Sequence, residues 1–147
     1  KIMEIAIGAD HAGFKAKILL TAHLESKGYE IHDVGTNSEN SVDYPHFGHA
    51  VGKMVIEGHA DNGIVICGTG IGVSISANKI PGVRAALCRT NEDAEMSRKH
   101  NNSNVLALGA RSCDSSDLVA ITDTWLNTAF EGGRHERRVN QIEYIKV

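Results

Sequence analysis

Cysteine is scarce in this 147-residue sequence: only Cys67, Cys88 and Cys113 are present. An odd number of thiols without a disulfide-rich composition excludes a stapled secreted scaffold and favours a reducing compartment. No apolar run approaches the roughly 20 residues that a membrane-spanning helix needs. The first residues also lack the basic, apolar and small-residue order of a secretion signal. A soluble, cytoplasmic protein with no membrane partner is therefore expected. Positive charge is not in excess either, since 15 basic against 18 acidic residues leave a net charge of −3. Nothing draws the chain as a whole to nucleic acid, so any affinity for an anion must be local. Repeats, low-complexity stretches and linker-like segments are missing as well. One domain over residues 1–147 is the expectation.

What is present is a core-forming share of apolar residues, 41%, arranged in short runs of valine, isoleucine and alanine. These runs alternate with longer amphipathic stretches, the pattern of strands covered on both faces by helices. Strands are expected at residues 4–8, 30–34, 63–67, 84–87 and 105–109. Helices are expected at 14–27, 44–57, 71–78, 92–100, 115–129 and about 134–145. In the first helix Phe14, Ile18 and Ala22 share one row, and Gly28 follows as a left-handed C-cap. The Asp114 to Asp117 segment offers N-cap side chains. The predicted fold is α/β: a three-layer Rossmann-like sandwich with a five-stranded, largely parallel sheet. The last helix follows the turn-forming Glu131-Gly132-Gly133 and has no strand after it, so it is expected to pack on a partner subunit.

In such sheets ligands bind beyond the carboxyl ends of the strands. Three expected strand ends carry polar or glycine-rich turns: Gly8-Ala9-Asp10-His11-Ala12-Gly13, Cys67-Gly68-Thr69-Gly70-Ile71-Gly72, and Ala110-Arg111. The glycine loop can aim helix-start amides at a phosphate or a developing oxyanion, or it can simply make a tight turn. It is not the dinucleotide fingerprint, because Val73 stands where the third glycine belongs, and it lacks the lysine of a P-loop. Cys67 ends a strand beside a helix start, where a thiolate is favoured. Cys88 and Cys113 read as small apolar residues. No second cysteine or histidine lies at ligand spacing from Cys67, so no metal is expected there.

Most of the eight histidines, among them His23, His32, His46, His49 and His59, lie in polar segments without a patterned partner and read as solvated. His100 ends a helix, where it can act as an acid or merely cap the terminus. Arg134 and Arg138 lie at i and i+4 on one helix face, either solvated or able to clamp a phosphate.

Taken in order, Asp10-His11-Ala12-Gly13, Asp43-Tyr44-Pro45-His46, the 67–72 loop, His100-Asn101 and Gly132-Gly133-Arg134-His135 resemble the type B ribose-5-phosphate isomerase family. Its superfamily includes galactose-6-phosphate and allose-6-phosphate isomerases. The resemblance implies a metal-free, cofactor-free aldose–ketose isomerase of the non-oxidative pentose phosphate pathway. It further implies a homodimer or dimer of dimers whose active sites are shared between subunits. By the same resemblance Cys67 is the base that moves a proton between sugar carbons through an enediolate. Thr69 relays a proton between oxygens, and His100 opens the furanose ring. The amides of Gly68, Thr69, Gly70, Ile71 and Gly72 hold the enediolate charge. Asp10, Tyr44 and Asn101 meet the sugar, while His11, Arg111, Arg134 and Arg138 surround the phosphate. A hexose 6-phosphate isomerase and a non-catalytic phosphosugar-binding module are the alternatives.

Overall fold

Isoleucines and leucines point to one side of the sheet, alanines and valines to the other, and this division sets the layers. The computed structural model describes residues 1–145. Its strands are β1 (Glu4–Ala9), β2 (Glu30–Asp33), β3 (Asn62–Cys67), β4 (Ala85–Leu87) and β5 (Val105–Gly109). They form one sheet in the order β2-β1-β3-β5-β4, with every neighbouring pair parallel. The helices are α1 (Phe14–Ser26), α2 (Pro45–Ile56), α3 (Ile71–Asn78), α4 (Asn91–Asn101), α5 (Ser115–Leu126) and α6 (Arg134–Glu143).

Ile5, Ile7, Ile64, Ile66, Leu106 and Leu108 pack against Leu20 and Leu24 of α1, Ala94 of α4 and Leu118, Ile121 and Trp125 of α5. On the opposite face Ala6, Val65, Val105 and Ala107 meet Val51 of α2 and Val73 and Ala77 of α3. The three-layer expectation holds. Trp125 is fully buried, and its indole N–H donates to Ser103 Oγ at 2.8 Å, so its one polar atom is satisfied. α6 lies outside both layers and packs against α4.

Several local expectations are borne out. Gly28 has φ +91°, as a left-handed cap requires. Asp114 caps α5 by accepting the Asp117 amide at 2.8 Å. Others are corrected. The row Phe14, Ile18 and Ala22 turns outward, with Ile18 52% exposed. The buried row is Ala16, Leu20 and Leu24, joined by Lys17. Lys17 is only 1% exposed and its ammonium pairs with Asp33 at the end of β2, so a charged residue takes a core position. α5 stops at Leu126 rather than at residue 129.

The chain order reverses beside β1: β2 lies on one side of it and β3 on the other. Their connections therefore diverge and leave a crevice above the carboxyl ends of β1 and β3. Ala9 is in register with Ile66, and the Asp10 amide donates to the Ile66 carbonyl at 3.2 Å. This places Asp10 alongside Cys67.

Candidate active site

Cys67 is the last residue of β3, 5% exposed, and its sulfur accepts the Gly70 amide at 3.2 Å. That bond and the start of α3 just beyond turn amide dipoles towards the sulfur. Gly70 itself is left-handed at φ +78°, and a Cβ there would lie 2.5 Å from Leu87 Cδ1. Only glycine makes this turn without strain. Thr69 is exposed, and its Oγ1 accepts the Ile71 amide at 3.1 Å, which leaves the hydroxyl proton free to donate outward. The amides of Gly68 and Gly72 have no partner among the described residues.

β5 buttresses the loop from the other side. Cys67 is in register with Gly109, the Ala110 amide donates to the Cys67 carbonyl at 2.9 Å, and the Arg111 amide donates to the Gly68 carbonyl at 2.9 Å. Arg111 crosses Gly68 so closely that a Cβ on that glycine would lie 3.1 Å from Nη1. Tyr44 caps α2 from the far side, its ring against Gly72. Asp10 is buried, and its Oδ1 accepts the Gly13 amide at 3.2 Å. His11 Nδ1 lies 3.1 Å from the Val42 amide nitrogen and 3.3 Å from the Val42 carbonyl oxygen, so the Val42 backbone anchors the ring.

The structure thus brings Asp10, Tyr44, Cys67, Gly68, Thr69, Ile71, Gly72 and Arg111 around one open cleft of about 470 Å³, with Ile75 on its rim. It does not bring His100, Asn101, Arg134 or Arg138 to that cleft. His100 sits at the α4–α6 corner, stacked on His135 with ring centroids 4.3 Å apart. Its Nε2 lies 3.5 Å from Glu131. Arg134 and Arg138 are exposed on α6. Asn101 lines a larger cavity, about 550 Å³, between β4, the turn after α3 and α6. Neither Cys67 nor the glycine loop lines that cavity, so size does not mark the chemistry here.

The other thiols are structural. Burial pushes the Cys88 thiol up to about 11, and burial raises Cys113 too, aided by Asp117. Two histidines expected to be solvated have partners far off in the chain: His23 meets Asp123 at 2.8 Å and His32 meets Glu4 at 2.9 Å. Each pair joins residues distant in sequence, which no spacing pattern reveals. His135 was named only within a motif, yet it is buried, and burial together with His100 and Arg134 lowers its pKa below the ordinary histidine range. Lys17, Glu131 and Ile75 carried no signal.

A parallel sheet with a nucleophile and a glycine loop at its switch point defines a Rossmann-like α/β protein built to act on a small anionic substrate. Residues 5–142 match the Ribose/Galactose Isomerase family, and the chain belongs to it. Ribose-5-phosphate isomerase B of Escherichia coli is 46% identical over 97% of this chain and 96% of its own length. A solved ribose-5-phosphate isomerase B from Clostridium thermocellum superposes with a TM-score of 0.95 at 50% identity, covering 96% of this chain and 95% of that one. Another, from Mycoplasma genitalium with bound ribulose-5-phosphate, gives 0.92 at 40% identity, covering 96% and 94%.

Proposed function

We propose that the chain interconverts ribose 5-phosphate and ribulose 5-phosphate. The observation that carries this reading is the Cys67 thiol, held by the Gly70 amide at the floor of a cleft that Asp10, Tyr44, Thr69 and Arg111 share. The Cys67 thiolate takes the proton from C2 of the open-chain aldose and returns it to C1. The electron pair released passes to the carbonyl oxygen, giving an enediolate. The unpartnered Gly68 and Gly72 amides meet that charge, and one such donor is worth about 2.7–4 kcal/mol in other enzymes. Thr69, whose hydroxyl proton is free, relays the proton between O1 and O2. Asp10 and Tyr44 receive sugar hydroxyls. Arg111 and His11 hold the phosphate, so that binding at one end orients the other.

His100, Asn101, Arg134 and Arg138 complete a site in this reading only from a second copy of the chain. Their position away from the cleft supports a homodimer, or a pair of dimers, with shared active sites. So do Ile71 and Ile75, which are large, apolar and exposed at the cleft. His100 then opens the furanose ring, Asn101 lies near the reacting carbons and the two arginines close on the phosphate. The chain acts as one isomerase domain. Among the described residues no helix is long and apolar enough to cross a membrane. Three free cysteines suit the cytoplasm, where we place the protein.

The test is turnover by chelator-treated protein on ribose 5-phosphate beside allose 6-phosphate and galactose 6-phosphate. Preference for the five-carbon sugar is expected. Preference for a six-carbon sugar moves the substrate and keeps the mechanism, whereas binding without turnover on all three overturns it.

A further inference from the structure

The α4–α6 corner gathers three metal-competent side chains that the isomerase reading does not use as a set. Nitrogen atoms of His100 and His135 and a carboxylate oxygen of Glu131 all lie within 4.8 Å of one another. The arrangement is built by the backbone. The Glu131 amide donates to the Lys99 carbonyl at 3.2 Å and pins the incoming loop beside His100. Gly132 and Gly133, at φ +70° and +56°, then turn the chain into α6 and place His135 one turn after Glu131.

Two imidazoles and one carboxylate are the ligand set that zinc takes in open sites, with a water in the fourth position. Zinc–ligand bonds are about 2.0–2.2 Å, so the three donors must draw in slightly from their present spacing. The rings are 17° from parallel, which sets their lone pairs side by side rather than convergent, and a modest rotation of the half-exposed His100 ring supplies the convergence. The carboxyl end of α4 favours a cation here. Arg134 and Arg138 on α6 oppose it, so a buffered, reversible site is expected rather than a structural one. Burial, with His100 and Arg134 nearby, lowers the His135 pKa, which favours the neutral form that ligates.

We infer that His100, Glu131 and His135 form a site for a borderline-soft divalent cation of the zinc type, and that its occupancy switches the isomerase off. The second half rests on the ring-opening role proposed for His100. A metal on His100 Nε2 occupies the lone pair that would carry the proton delivered to the ring oxygen, so that nitrogen can no longer act as the acid. Binding and inhibition are therefore measured separately.

Chelator-treated protein is titrated with zinc chloride by calorimetry, and cobalt(II) uptake is followed by its visible spectrum. The expected result is one ion per chain. Loss of even an outer-shell partner typically costs 10–100-fold in affinity, so Glu131→Gln and His135→Gln should each weaken binding by about a hundredfold. Cys67→Ala should bind as wild type, and the cobalt complex should lack the near-ultraviolet thiolate charge-transfer band. No uptake by the wild type, unchanged affinity in Glu131→Gln, or loss of binding in Cys67→Ala would each overturn the site. Stoichiometric binding without loss of ribose 5-phosphate turnover would leave the site standing and remove the ring-opening role from His100.

Discussion

The Cys67 sulfur and the Gly70 amide are 3.2 Å apart across a single turn, so the same glycine that shapes the loop also donates its N–H to the sulfur. Strand end, turn and helix start are one device. Changing the sulfur and changing the turn should therefore have separable effects.

Removing the sulfur tests the chemistry. A positioned base contributes about 10²–10⁴ in rate, so Cys67→Ala should lose at least a hundredfold in kcat while still binding ribose 5-phosphate in calorimetry. Equal turnover by the variant rules out Cys67 as the base.

The two loop glycines should fail differently. Gly70→Ala forces φ +78° on a side chain and drives its Cβ to 2.8 Å from the Leu108 carbonyl carbon, so a lower melting temperature is expected. At Gly72 a methyl group would lie 2.6 Å from the Tyr44 ring, which is 41% exposed and can swing away. Gly72→Ala should keep its melting temperature and raise KM.

The pair of Lys17 with Asp33 is asymmetric in burial, and so should be its mutants. Asp33→Ala strands an ammonium that is 1% exposed, at a cost of about 3–5 kcal/mol. Lys17→Met leaves a carboxylate that is already 37% exposed and can rehydrate, so its cost should be smaller. Urea unfolding midpoints decide the order, and the reverse order refutes the argument.

Alkaline pH should unfold the protein partly through Cys88. Its thiol ionises near 9 when unfolded and at about 11 when buried. The folded state thus holds the proton more tightly. The stability from this group is complete below pH 9 and is lost as pH rises towards 11, by about 2–3 kcal/mol. Cys88→Ala should flatten the stability curve across that window, compared with wild type by denaturant titration.

Shared active sites make a further claim. Cys67→Ala and Arg134→Ala chains, each inactive, should recover part of their turnover when mixed after dissociation. Hybrids that form, shown by mass spectrometry, but stay inactive would place both residues in one subunit's site.

Much of the fold was readable because local rules decided it. Gly28 and Asp114 terminate helices through bonds within a few residues, and both stand where the sequence predicts them. The first helix misled because Phe14 and Ile18 are apolar yet face outward, while Lys17, inside, is made tolerable by Asp33 from another element. The cleft was legible for a similar reason, since its loops follow strand ends directly. The α4–α6 corner was not. Glu131 and His135 are four apart, but their tie to His100 spans 31 residues in the chain and depends on how α6 folds back.

The strand order also bears on how the chain matures. β5 lies between β3 and β4, so the outer edge of β3 has no partner until the last strand arrives. A nascent chain emerging from the ribosome can pair β2, β1 and β3, but it carries the Cys67 loop on an open edge until residues 105–111 follow. The nucleophile is thus made early and supported late. A truncated product ending before β5 would expose both a sticky strand and an unsupported thiol, and it would be a natural target for quality-control proteases.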